Sequence, residues 1–367
     1  MKFKMLRAIM SFFAVMILMS VLAVTCGAQF GTDELYDALP EEAREMLDDG
    51  GITPEGGADT VPVSDIFGTV TELVKENAGK PLKMFGAVTA VILLASLLSG
   101  IGETTGGTVS RIYPLVTALS CAAIVTVYLS GILDAARSAF STVTDFMLVY
   151  IPVIAGVTAA GGHTASAAVF SSVTLTAIQV LARLTSSVII PLTSCMIGIT
   201  AAGSADPDLG LDRLGEGIKK FVVWGLGLIM TVFLGILSVQ TVITSSADNA
   251  AMKTLKFAVS SAVPIVGGAA SEALSAVSGS ISVLKTGIGG FGIAAGVCML
   301  LPPAVTVICY KFLLFAAGVI SDLFGCAAVS RIVKSGENVM SVMIASFTCF
   351  FLFVTVSSAL LLAFCRS

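Results

Sequence analysis

The sequence FVVWGLGLIMTVFLGILSVQTVIT, residues 221–244, contains no charged residue. A membrane-spanning helix needs about 20 consecutive apolar residues, because the hydrocarbon core is about 30 Å thick and each helical residue advances about 1.5 Å. Backbone groups in lipid must also find their hydrogen bonds within the chain, which favours a helix. The stretch therefore predicts a transmembrane α-helix, and it decides the fold class.

Comparable apolar runs recur on both sides of this stretch. Together with it they predict an all-α, polytopic membrane protein with about seven transmembrane helices. The other runs are residues 82–100, 112–133, 146–161, 169–202, 288–320 and 339–364.

Two of the runs contain residues that disturb a simple span. Arg183 and Pro191 fall within 169–202, and Pro302 and Pro303 fall within 288–320. Each run is therefore predicted to be a hairpin, a kinked helix or a broken helix. Arg183 either pairs with a carboxylate across helices or lies in the turn of a hairpin.

The composition supports the same class. Hydrophobic residues make up 56% of the 367 and charged residues 12%, whereas soluble domains carry about 25% charged residues. The charge is unevenly placed, since most of the acidic residues precede the first span. An acidic segment has no attraction for nucleic acid, so no nucleic-acid partner is expected.

The domain organisation follows from these patterns. Residues 1–28 combine Lys2, Lys4 and Arg7 with an apolar run and small residues up to Ala28, which predicts a signal peptide. Retention of this segment as an uncleaved span is the alternative. Residues 29–80 predict an acidic extracytoplasmic segment with two helical patches, and residues 81–367 predict the polytopic transmembrane domain.

The most unusual stretch is SSADNAAMKTLKFAVSSAVPIVGGAASEALSAVSGSISVLKTGIGGFG, residues 245–292. Small residues allow close helix contacts, and a proline followed by paired glycines can break a helix. The stretch is either re-entrant and cavity-lining or an amphipathic helix pair on the bilayer surface. Its candidate functional residues are Asp248, Lys253, Lys256, Pro264, Gly267, Gly268, Glu272, Lys285, Gly287 and Gly290.

No catalytic signature is present in the sequence. It contains no phosphate-binding loop, no G-x-S-x-G and no H-E-x-x-H, and its only histidine, His163, has no acidic or thiol partner at a recognisable spacing. The eight cysteines show no metal-ligand spacing. We therefore predict that the protein is not an enzyme and binds no cofactor or metal.

Within 247–303 the sequence resembles the stage III sporulation protein AE (SpoIIIAE) family of endospore-forming Firmicutes. The motifs that carry the resemblance are A-D-N-A-A-M-K-T-L-K-F, V-P-I-V-G-G, S-E-A-L-S-A-V-S-G-S and V-L-K-T-G-I-G-G-F-G, followed by a proline-interrupted apolar run. The layout of signal peptide, short polar segment and several spans is also similar. The glycine pairs depart from the family pattern.

The resemblance implies a membrane subunit of the complex encoded by the SpoIIIA operon, placed in the mother-cell membrane around the forespore. Implied partners are the other SpoIIIA proteins, including a separate ATPase subunit, and SpoIIQ from the forespore. The implied role is in a channel or secretion-like apparatus needed for late forespore gene expression.

A second hypothesis is a stand-alone secondary transporter for a small solute. It rests on a short echo between Pro152-Val153-Ile154-Ala155-Gly156 and Pro264-Ile265-Val266-Gly267-Gly268, because matching helix interruptions in two halves of a transporter often mark its binding site.

Overall fold

The computed structural model describes residues 32–49, 71–105, 109–203, 211–262 and 267–363, and every regular element in these ranges is helical. The predicted signal peptide lies outside the described residues. The helices are α1 (Thr32–Asp37), α2 (Glu41–Asp49), α3 (Gly79–Thr105), α4 (Val109–Ala160), α5 (Thr164–Leu184), a π-helical turn (Thr185–Ile189), α6 (Ile190–Gly203), α7 (Leu211–Ala262), α8 (Gly267–Leu323) and α9 (Ala327–Ala363). Residues 71–77 are also helical.

Six helical stretches among the described residues are long and apolar enough to cross a membrane. They lie in α3, in α4, in α5 continuing into α6, and in α7, α8 and α9. The predicted all-α polytopic class is confirmed, and the protein is a multi-pass membrane protein. The number is close to the seven predicted.

The difference of one arises in α4, which contains both of the predicted runs 112–133 and 146–161. The residues between them carry charges, but they include neither proline nor glycine. Charged side chains are compatible with a helix, whereas proline and glycine weaken it strongly. The segment therefore stays helical, and α4 is a single helix of 52 residues.

The two doubtful runs are also continuous helices. Residues 164–203 pass from α5 through the π-helical turn into α6, so Arg183 lies in no hairpin turn. Helix α8 runs through Pro302 and Pro303 without ending. Each proline lacks an N–H group, and this leaves the carbonyl four residues earlier without its helical donor. Neighbouring protein must cover such groups in a membrane.

Helices α8 and α9 form the centre of the bundle. Their most apolar windows are each 67% buried, against 28–39% for the other four spans. The two helices pack against each other along an antiparallel hairpin, and α4 and α7 pack around it. The chain reverses between α8 and α9 at Gly325, whose φ of +69° suits glycine.

The first part of the predicted acidic segment, α1 and α2, packs against the bundle. Its apolar residues Leu35, Leu39, Ala43 and Leu47 are buried, with α1 packed against α4 and α2 against α8. The predicted first helical patch is therefore formed, and its apolar side contacts this chain.

The stretch 245–292 is helical on both sides of residues 263–266, which include Pro264 and lie outside the described residues. Its first part continues α7 to Ala262, and its second part begins α8 at Gly267. Helix α7 has 52 residues and would measure about 78 Å, well beyond the roughly 40–45 Å of a whole bilayer. The stretch thus forms extensions of two spans, and its glycines 287 and 290 interrupt no helix.

Candidate functional site

The corner between α4 and α5 is the first element of the candidate site. Helix α4 ends at Ala160, and Gly162 adopts a φ of +89°, a left-handed conformation that glycine adopts without strain. The backbone N–H of His163 donates to the Thr158 carbonyl at 3.3 Å. His163 then occupies the N-cap position of α5, but its side chain makes no capping hydrogen bond. Helix α5 therefore begins without a cap from its own sequence.

Asp248 of α7 supplies the missing cap. Its Oδ1 accepts a hydrogen bond from the backbone N–H of Ala165, and its Oδ2 accepts one from the N–H of Ser166, both at 3.0 Å. The carboxylate is buried, with 2% of the residue exposed. His163 Nδ1 lies 3.9 Å from Oδ2. One side chain thus satisfies two of the free N–H groups at the start of α5.

The physical effect of this contact is to tie α7 to the α4–α5 corner. A helix N-terminus carries partial positive charge, so a buried carboxylate is stabilised there by both hydrogen bonds and the helix dipole. Asp248 belongs to the A-D-N-A-A-M-K-T-L-K-F motif. We call this contact the Asp248 cap.

The other predicted site residues are placed as follows. Lys253 is exposed on α7, Gly290 is buried in α8, and Gly267 and Gly268 open α8. Lys256, Glu272, Lys285 and Gly287 belong to described helices, but their side chains lie outside the described set. The structure therefore brings Asp248, among the predicted site residues, to a defined contact with another helix.

The last glycine of the V-L-K-T-G-I-G-G-F-G motif lies at a junction of three helices. The Tyr150 ring of α4 lies directly over Gly292 of α8, where a Cβ would collide with the ring. The Tyr150 hydroxyl donates to Ser358 Oγ of α9 at 3.1 Å. Gly292 thus permits an approach between α4 and α8 that any larger residue would prevent.

A second polar region lies toward the α8–α9 corner. Residues 335–338 of α9, Ser-Gly-Glu-Asn, form one helical turn whose side chains face different neighbours; we call them the polar turn. Ser335 Oγ and Thr200 Oγ1 of α6 are 2.6 Å apart. Asn338 Oδ1 accepts a hydrogen bond from Lys219 Nζ of α7 at 2.9 Å. A methyl group on Gly336 would lie 3.3 Å from Val125 of α4.

A buried lysine completes this region. Lys311 of α8 is 8% exposed and interacts electrostatically with Glu337 and Lys219. Charged groups inside spans carry a large desolvation cost, so they pair with one another and mark functional sites more often than other positions. The polar turn, Lys311 and Lys219 together form an ionisable cluster that joins α6, α7, α8 and α9.

The comparisons with known proteins agree with this architecture. The family model for stage III sporulation protein AE matches residues 53–363, a range that includes all six membrane-length helices. The chain belongs to the stage III sporulation protein AE family. Within that family, Stage III sporulation protein AE of Bacillus subtilis (strain 168) is 25% identical over 211 residues. No solved structure matches the chain.

The match to this family member is partial in length. It covers 57% of this chain and 53% of the Bacillus subtilis protein, so the matched part spans about half of that curated relative. The resemblance drawn from the 247–303 motifs is confirmed by the family match.

Both polar regions of the present protein involve residues that their spacing in the sequence could not connect. His163 and Asp248 are far apart in the chain, and only the antiparallel packing of α5 and α7 brings them together. Lys311 had a visible signal, since it is a charge within the predicted run 288–320, but its partners come from α7 and α9. Among the described residues, no three His, Cys, Asp or Glu side chains converge to hold a metal ion.

Proposed function

We propose that this protein is a membrane subunit of the SpoIIIA–SpoIIQ transenvelope complex, a channel or secretion-like apparatus required for endospore development and late forespore gene expression. The observation that carries the proposal is the family match over residues 53–363. That range covers the whole bundle, so the family relation concerns the entire membrane architecture and not one short motif.

The proposed role is that of a non-catalytic scaffold in the mother-cell membrane surrounding the forespore. The family is not a known enzyme family. Energy for the apparatus would come from the separate ATPase subunit, and SpoIIQ would provide the connection to the forespore. The bundle supports such a role because two polar regions fix its helices at opposite ends: the Asp248 cap at the α4–α5 corner and the polar turn near the α8–α9 corner.

The proposal is tested in sporulating cells of the source organism. The full chain, tagged at its C-terminus, is expressed in place of the native copy and purified from membranes in mild detergent. The other SpoIIIA proteins should co-purify, and deletion of the gene should stop late forespore gene expression. Full sporulation in the deletion strain, or purification of the chain without any SpoIIIA protein, would refute the proposal.

A stand-alone secondary transporter is the second candidate, favoured by one observation. Lys311 is a buried cation within a span, and such residues mark substrate and ion pathways in transporters. Pro152 and Gly156 do not mark a broken helix of the transporter type, because α4 runs through both residues as a continuous helix. Solute uptake by the purified chain in proteoliposomes, lost in Lys311→Met, would favour the transporter; an inert chain would favour the scaffold.

A further inference from the structure

The exposed side of α5 and α6 is largely polar although these helices form a membrane-length span, and Val180 and Val188 are the large aliphatic residues exposed on it. Ser172, Thr176, Gln179 and Arg183 are all exposed, and they recur at intervals of three or four residues. That spacing places them along one side of a helix. The same side continues past the π-helical turn to Ser194. Of the six candidate spans, this one has the lowest mean hydropathy.

Helix α4, which packs against α5 and α6, has an exposed polar side as well. Asp134, Ser138, Ser141 and Asp145 are exposed and again follow helical spacing, with exposed Arg137 beside them. Two helices in contact therefore both direct charged and polar groups away from the bundle. We call these two sides together the polar face.

Contacts near the α8–α9 corner show which residues of the different helices lie at the same depth in the bundle. Ser335 Oγ shares a hydrogen bond with Thr200 Oγ1 of α6. It also lies 3.9 Å from the position that a Cβ on Gly215 of α7 would occupy. The next residue, Gly336, faces Val125 of α4. Thr200, Gly215 and Val125 therefore lie at about the same depth in the bundle.

The polar groups of α4 and α5 lie at the same depth as an apolar surface of α7. At about 1.5 Å per residue, Arg183 lies about 26 Å above the shared depth of Thr200, Gly215 and Val125, Ser141 about 24 Å and Val232 of α7 about 26 Å. Val232 is 52% exposed and belongs to the charge-free run 221–244. At one depth, α7 exposes an apolar surface, whereas α4 exposes serine and α5 exposes Arg183 and Gln179 beside Val180.

Contact with lipid suits only one of these two surfaces. The side of α7 that exposes Trp224, Leu228, Val232 and Val239 is suited to hydrocarbon. Serine and threonine can satisfy their hydroxyl groups on their own helix, as Thr176 does by donating to the Ser172 carbonyl at 2.7 Å. Gln179 and Arg183 cannot do this completely, and groups of this kind inside membranes face protein or water.

We infer that the polar face lines a water-filled path within the membrane, whereas the α7 side faces lipid. Exposed groups of both signs, Asp134, Arg137, Asp145 and Arg183, would remain hydrated there, and small polar or charged solutes could pass along them. The inference rests on the proposed membership of a channel complex, because one bundle has the polar groups on its outside and needs neighbouring subunits to enclose the path.

Cysteine accessibility in the intact complex tests the inference. Ser141→Cys, Gln179→Cys and the depth-matched control Val232→Cys are made singly in a chain whose exposed native Cys195 is replaced by serine. Membranes from sporulating cells are sonicated with a charged, membrane-impermeant methanethiosulfonate, so that the reagent reaches both sides. Because the reagent is water-soluble and reacts with thiolates, we expect the first two thiols to react at least about tenfold faster than the control.

Equally slow reaction at all three positions would overturn the inference, because it would mean that lipid or protein covers the polar face. Equally fast reaction at all three would overturn it too, because the α7 side would then also face water. The same preparations are probed for co-purifying SpoIIIA proteins. Co-purification with a slow Gln179→Cys thiol would refute the path and leave the complex intact, while fast labelling without co-purification would refute the complex.

Discussion

The α8–α9 hairpin and α7 are similarly apolar, but they occupy opposite environments. The apolar windows of α8 and α9 are 67% buried, whereas that of α7 is 28% buried. Lipid is as apolar as a leucine side chain, so hydrophobicity alone cannot drive helices together in a membrane. The difference between the two regions lies in close packing at small residues. In α8, Gly292 and Gly296 face Tyr150 and Val354, whereas Gly225 and Gly227 of α7 face open space.

Substitution of Gly292 should have the largest effect on the folded protein. In Gly292→Leu the side chain would occupy the space of the Tyr150 ring, and α4 would separate from α8. Overpacking of a close contact costs about 1–3 kcal/mol or more, which is a large fraction of the roughly 5–15 kcal/mol that typically stabilises a folded protein. The matched variant Gly227→Leu on α7 meets no atom within 4 Å and should accumulate normally.

The measurement is the amount of monodisperse protein recovered in detergent, with its thermal midpoint by size-exclusion chromatography. Similar losses for both glycine variants would mean that close packing at Gly292 is not the cause, because leucine favours a helix more than glycine does at both positions.

The Asp248 cap should produce the next largest effect, because its buried carboxylate satisfies two backbone N–H groups at the start of α5. Asp248→Ala leaves two buried N–H groups of α5 without their acceptor, at a cost of about 1–3 kcal/mol. Asp248→Asn keeps one carbonyl acceptor, so its loss should be smaller. The exposed Lys253→Ala on the same helix is the control.

Thermal unfolding in detergent and sporulation efficiency check this prediction together. The expected order of thermal midpoints is wild type and Lys253→Ala, then Asp248→Asn, then Asp248→Ala. An Asp248→Ala protein as stable as the wild type would mean that the cap contributes no stability, and its effect on sporulation would then be a separate question.

The fold class was predictable from sequence, whereas the contacts of the site were not. Runs such as 221–244 identify spans because lipid imposes a length and a composition on each helix. The predicted runs 112–133 and 146–161 leave Asp134, Arg137 and Asp145 between them, because charges usually lie outside the membrane, yet all three residues belong to the single helix α4. The rule assumes lipid on every side of a span, and it fails where a helix faces water or protein.

The residues of the candidate site were likewise only partly predictable from the sequence. Asp248 could be named as a candidate from the sequence because it belongs to a distinctive motif. Its role depends on the start of α5, which is close in space and distant in sequence. Nothing in the spacing of His163 indicates that it lies 3.9 Å from that carboxylate. Tertiary packing alone creates these pairs, so a sequence pattern can identify one partner without the other.

The ionisable cluster gives a third and smaller expected effect. Glu337→Gln removes the only acidic member of the polar turn and leaves Lys311 beside Lys219. Breaking a buried pair costs about 3–5 kcal/mol, and since Glu337 is only half-buried we expect about 1–2 kcal/mol. Lys311→Met alone should also destabilise the protein, because it leaves the half-buried Glu337 without this cation, whereas replacing both charges by neutral groups can be nearly neutral.

The double variant Lys311→Met with Glu337→Gln separates charge from packing. It should recover most of the stability lost in Glu337→Gln, measured as the thermal midpoint in detergent. No recovery would mean that Glu337 acts through contacts other than Lys311. If Lys311→Met is stable but abolishes sporulation, the lysine is required for function and is dispensable for the fold.

The lipid-facing side of α7 should give the smallest effect. Val232→Leu and Trp224→Leu keep an apolar surface at residues that are 52% and 66% exposed, and surface substitutions of this kind usually change stability by about 0.5 kcal/mol or less. Val232→Arg at the same depth should be strongly unfavourable if lipid covers α7, whereas Gln179→Arg, next to Arg183, should be tolerated on the polar face. The amounts of the two arginine variants in the membrane therefore distinguish the two surfaces. Equal tolerance would mean that water or protein, and not lipid, covers the exposed side of α7. The buried α8–α9 hairpin and α7 would then differ in something other than contact with lipid.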